Sequence, residues 1–183
     1  MKSGRVHKRI LAAIALAVGL FAALCLFWYG FKYSPYRKMT ENMQFNNDSE
    51  KPRYVYTDDQ YLYRLKMPGF LSFESGFLYV GPADETAASF IVDGNGDLRE
   101  QNIPHVDVFI WPRIFSEPEY GVTIYEEDWS GQFMMSSQGE YLPDEDMSQE
   151  DLEDARDLFE KHRDQIMDVM QAADALWGSR LKK

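Results

Sequence analysis

Apolar residues fall along this chain in three patterns, and each predicts a different kind of element. The first is an unbroken run. Ile10–Phe31, ILAAIALAVGLFAALCLFWYGF, holds 22 residues with no charge, no Asn or Gln and no proline. As a helix at about 1.5 Å per residue it reaches roughly 33 Å, enough to cross a hydrocarbon core about 30 Å thick. A lone segment cannot close a barrel, so a helix is the form that satisfies its backbone in lipid. The run exceeds a signal-peptide core and ends in Leu26-Phe27-Trp28-Tyr29 rather than in small residues. Bulky Leu24 before Cys25 does not suit lipoprotein processing. The expectation is an uncleaved transmembrane anchor.

The second pattern is alternation, which predicts strands. Arg53–Thr57 and Gln60–Met67 read as two strands turned at Asp58-Asp59. Phe70–Phe73 and Phe77–Val80 read as a hairpin across Glu74-Ser75-Gly76. Ser89–Val92 and Leu98–Gln101 flank the turn sequence Asp93–Asp97. Val106–Trp111, Gly121–Glu126, Gln132–Ser136 and a short Glu140–Leu142 complete the set. Turn chemistry recurs every eight to twelve residues or so, which argues for an antiparallel meander rather than βαβ units.

The third pattern is helical. Leu152, Ala155, Phe159, Ile166, Val169, Met170, Ala173, Leu176 and Trp177 recur at three-to-four spacing and predict one helix over 149–177. Ser148 with Asp151 resembles a capping box, and Gly178 reads as the C-cap. The fold class expected is α+β: an antiparallel β-meander sheet packed by one long C-terminal helix, preceded by a single N-terminal transmembrane helix. The chain divides into a cytoplasmic basic tail (1–9), the anchor (10–31), a polar stalk (32–52) and an extracytoplasmic acidic domain (53–183).

Charge sets the expected orientation. Lys2, Arg5, Lys8 and Arg9 precede the run, while all 30 acidic residues follow it. The positive-inside rule places the N-terminus in the cytoplasm and the domain outside, which in a bacterium means an inner-membrane anchor with a periplasmic domain. Lys8 and Arg9 would sit at one interface, and Trp28, Tyr29 and Tyr33 would form an aromatic belt at the other. With four of the 19 basic residues ahead of the span, the part beyond it carries about −15. That charge excludes nucleic acid as a partner, because phosphate contacts demand Lys and Arg, and favours a protein with a basic surface.

Candidate chemistry is sparse. The one cysteine, Cys25, lies in the apolar run, so the domain has no disulfide and no thiolate metal site. Asp93-Gly94-Asn95-Gly96-Asp97 begins like a calcium loop. Leu98 and Pro104 occupy the positions where glycine and the bidentate acid belong, so it reads as a turn. No metal or cofactor is expected. His105 and Asp107 are two apart and share a strand face, the makings of a base and its orienter, although no serine sits in a nucleophile elbow. An acidic, aromatic stretch supplies the expected binding edge: Phe115, Glu117, Glu119, Tyr120, Glu126, Glu127, Asp128 and Trp129. The reading is a membrane-anchored, periplasm-facing protein-binding domain, as in an immunity or inhibitor protein that neutralises a basic secreted toxin. The alternatives are a non-catalytic subunit of a cell-envelope complex and an anchored hydrolase using His105 and Asp107.

Overall fold

Residues 10–27 are rich in Ala and Leu, strong helix formers, and contain no helix breaker but Gly19. The structure, a computed structural model, describes residues 3–46, 53–72, 76–83, 88–92, 98–113, 116–144 and 146–181. Helix α1 spans Ser3–Phe27. It passes without a break into a π-helical segment, Trp28–Tyr33, and then into α2, Ser34–Met39. The Ser34 N–H bonds to the Tyr29 carbonyl five residues back, as π geometry requires. That spacing brings the Trp28 and Tyr33 rings to 5.1 Å, beside the Phe27–Phe31 stack at 4.8 Å.

The stretch expected as a stalk from residue 32 is therefore helical through Met39. Tyr36 and Met39, three apart on one helix face, are buried in the domain core at 3% and 2% exposure. Two apolar positions among polar neighbours make too short a pattern to stand out in the sequence.

Ten strands follow among the described residues: β1 (Gln44–Asn46), β2 (Arg53–Thr57), β3 (Tyr61–Lys66), β4 (Phe77–Pro82), β5 (Ala88–Val92), β6 (Leu98–Asn102), β7 (His105–Trp111), β8 (Glu119–Glu126), β9 (Trp129–Met135) and β10 (Tyr141–Leu142). Eight form one antiparallel sheet in the order β1-β2-β3-β4-β7-β8-β9-β10. Strands β5 and β6 pair with each other as a separate ribbon, so β4 bonds directly to β7. The meander is thus real but carries an excursion at its centre. Phe70–Phe73 was expected as a strand. Its described part is instead a turn, closed by Ser72 N–H to Gly69 O at 3.1 Å, with Leu71 in the left-handed region at φ 50°. Pro68 removes a donor and Gly69 invites the turn, which outweighs the aromatic content.

The C-terminal helix is in two parts, α3 (Gln149–Lys161) and α4 (Arg163–Leu181). His162 breaks them at φ −101°, ψ 7° and turns inward. Ser148 caps α3 as expected, its Oγ accepting from Asp151 N–H at 3.2 Å. Gly178 does not end α4. The helix runs on to Leu181, whose burial against the core favours the extra turn.

Period-two alternation gives the sheet two faces. Tyr63, Leu65, Leu78, Val80, Val106, Val108, Ile110, Val122 and Ile124 face the helices and meet Phe159, Ile166, Val169 and Trp177. At about 1.5–3 kcal/mol for each large apolar side chain buried, this layer dominates the stability. The tight turn before β10 needs Gly139, at φ +73°. A Cβ there would lie 2.6 Å from Met167 Sδ of α4.

Candidate functional site

The strands run so that one end of the sheet meets the end of the apolar helix. The loop after β3, the loop after β7 and the end of α4 converge there on the π segment and α2. Trp28 donates its indole N–H to Gly69 O at 3.1 Å, and its ring meets Phe70 edge-on at 5.1 Å. Lys32 donates to Ser72 O. The Tyr36 hydroxyl reaches Gly76 O at 2.9 Å and Pro112 O at 3.4 Å. Burial pushes its pKa well above that of an ordinary phenol, against the pull of Arg113, so it stays a neutral donor. Trp177 donates to Met39 O at 3.3 Å, and Arg180 pairs with Glu41 at 2.8 Å. Helix and domain therefore share one core.

The junction leaves a cavity of about 660 Å³. Leu24, Phe27 and Phe31 form the helix wall, and Leu71, Pro112 and Pro118 face them. Its charged members are Lys32, Arg113, Arg180 and Glu117. The sequence alone places none of these in a common site; Glu117 alone belongs to an expected site, the acidic and aromatic binding edge.

His105 and Asp107 lie at the opposite end, on the sheet face away from the helices. Asp107 is 5% exposed and accepts from the Tyr79 hydroxyl at 3.0 Å. Burial raises its pKa, opposed by His105, the Tyr79 hydrogen bond and Arg64. Gly81 leaves the room: a Cβ there would collide with both Asp107 and Tyr79. The His105 ring stacks on Tyr125 at 4.2 Å and 7°. Its Nδ1 lies 2.6 Å from Ile103 O, and a carbonyl only accepts, so Nδ1 carries the proton. Nε2 then faces Asp107 at 3.7 Å. In a serine-hydrolase triad the carboxylate sits on the protonated nitrogen and the other nitrogen turns to the nucleophile. Here the protonated nitrogen is spent on the backbone and the other faces the carboxylate. Tyr79 and Arg64, reached across neighbouring strands, were illegible as partners of this pair.

The expected binding edge is divided. Glu117, Glu119 and Tyr120 sit at the end of β8 nearer the apolar helix; Glu126, Glu127, Asp128 and Trp129 sit at the far end. Seven residues of strand, about 23 Å, separate Glu119 from Glu126. Phe115 lies outside the described residues, as do Asp93–Asp97 and most of the Glu74-Ser75-Gly76 turn. Tyr120 packs against the core, and Glu119 pairs with Arg113. At the far end Glu126 binds Lys161 and, at 2.9 Å, His162 Nε2, which together hold its carboxyl below the usual range. His162, expected as a solvated residue, is buried and also bonded to Gln165 at 3.1 Å. Glu127 and Asp128 are exposed beside Trp129, itself 46% exposed. Of the residues expected at the two membrane interfaces, Lys8, Arg9 and Tyr29 are exposed, and Trp28 and Tyr33 are half-buried.

Among the described residues no group of three or more His, Cys, Asp or Glu is placed to hold a metal. Compared with protein-family models, with curated proteins and with solved structures, the chain matches none.

Proposed function

We propose that this protein is a single-pass, membrane-anchored binding domain that faces the periplasm and captures a protein with a basic surface. One observation carries the reading. A helix long and apolar enough to span a membrane, with no buried residue in its apolar window, is continuous with the core of a strongly acidic domain. Exposed Leu, Ile and Phe on every side of α1 call for lipid. The basic front favours a cytoplasmic N-terminus. The fixed junction would hold the β8–β9 turn, with Glu127, Asp128 and Trp129, on the side of the domain away from the bilayer. Acids around an exposed indole suit a cationic partner, with the ring as anchor and the charge as steering. An immunity or inhibitor protein acting on a basic toxin fits this design. The hydrolase alternative would have to use a His105 whose Nδ1 lies against Ile103 O and whose Nε2 faces Asp107.

Membrane fractionation with carbonate washing tests the anchor, and protease protection of spheroplasts tests the orientation. Capture with the full-length protein in detergent tests the partner. A basic secreted protein held one to one, with association slowed by salt and by Glu127→Lys with Asp128→Lys, is the expected result. Retention of fellow envelope proteins would instead identify a complex subunit. Salt-insensitive association would contradict the steering.

A further inference from the structure

The cavity between the π segment and the domain has a wall that is also the surface of the apolar helix. Leu24, Phe27 and Phe31 line it and are 52%, 47% and 53% exposed, so it opens at the depth where the helix would leave the bilayer. An apolar recess of this kind does not hold water well, and its size falls within the range of ligand pockets, about 300–1,000 Å³. Cations outnumber acids in its lining, although the chain as a whole carries −11: Lys32, Arg113 and Arg180 stand against Glu117, with Arg113 also paired to Glu119 and Arg180 to Glu41.

We infer that this cavity holds one acyl chain of an anionic phospholipid from the leaflet on the domain side, with the phosphate seated against Lys32 and Arg113. The inference rests on the membrane-anchor reading above. Lys32 lies one residue beyond Phe31, at the boundary between the apolar run and the polar chain, where a lipid phosphate sits. It spends one of its three ammonium donors on Ser72 O and directs the same charge at the cavity. Arg113, which pairs with Glu119, also lines the cavity from the loop after β7, and a guanidinium carries five donors in a planar fork suited to phosphate. Leu71, held in a left-handed turn, supplies an apolar face on the domain side. The domain would thus clamp a lipid between itself and its own anchor, fixing its height and tilt above the membrane.

Native mass spectrometry of the full-length protein, released from nanodiscs of equal phosphatidylglycerol and phosphatidylcholine, tests this. One retained phosphatidylglycerol per chain is expected. Lys32→Gln with Arg113→Gln should cut the preference for phosphatidylglycerol on the order of tenfold. Ser116→Trp, which fills the cavity from its rim, should remove the bound lipid while the circular dichroism and membrane partition stay unchanged. Equal retention of both lipids, or lipid unaffected by Ser116→Trp, overturns the proposal. So does a second copy of the chain or a peptide in place of lipid. A chain that carbonate extracts from membranes fails the anchor reading and takes this one with it. A chain that stays in the membrane yet carries no lipid fails this one alone.

Discussion

The indole N–H of Trp177 donates to the backbone carbonyl of Met39 across 138 residues of sequence, at 3.3 Å. Met39 is the last residue of the helix that begins in the apolar N-terminal run, and its carbonyl is among those a helix end leaves without an intrahelical partner. Trp177 is fully buried, and its ring meets Tyr63 edge-on at 5.7 Å. One side chain thus caps the N-terminal apolar helix and fills the centre of the domain. Trp177→Phe keeps most of the ring and loses the bond, and should cost about 1–2 kcal/mol. Trp177→Ala should cost about 3–5 kcal/mol. Denaturant titration of the full-length protein in mild detergent measures both.

Tyr36 makes the matching contact from the helix side. Tyr36→Phe leaves the buried Gly76 carbonyl without its 2.9 Å donor and should destabilise the junction by about 1–2 kcal/mol. The loss should be local. Limited proteolysis between helix and domain should accelerate several-fold in the variant, while the far end of the sheet keeps its hydrogen-exchange protection.

Asp107 gives a pH dependence of definite sign. Burial raises its folded pKa above the unfolded value, so its favourable contribution is whole below about pH 3.9 and is lost as pH rises through the folded value. Asp107→Asn still accepts from Tyr79 and cannot ionise. The variant should match the wild type at the acid end and exceed it at pH 7 by about 1 kcal/mol. Thermal midpoints by circular dichroism across that range decide it. A less stable variant at pH 7 would mean that the pairing with His105 outweighs the burial.

Gly139 tests the turn that seats β10 on α4. Gly139→Ala places a Cβ on a backbone at φ +73° and within 2.6 Å of Met167 Sδ. A loss of about 1–2 kcal/mol is expected, mostly backbone strain, because the thioether can move aside. Gly139→Asn, which tolerates the left-handed region better, should recover part of it.

By itself the sequence determined the long apolar helix, the α+β class, most of the strands and the Ser148 cap. Each is local: an unbroken apolar run, a period of two, a period near 3.6, a side chain beside its own helix end. Tertiary structure decided the rest, because the deciding partners are far apart in sequence. β1 is three exposed residues with one apolar side chain, Phe45, too short to show alternation, and exists as a strand because β2 offers it an edge. The β5–β6 ribbon alternates like its neighbours, and only the pairing of β4 with β7 set it aside. Glu119 and Glu126 looked adjacent until an extended strand drew them apart. Lys32, Arg113 and Arg180 lie in separate thirds of the chain and line one cavity because helix, sheet and C-terminus close on a common core. Tyr36 and Met39 looked like part of a polar linker, and burial in the common core made them the joint between the apolar helix and the domain.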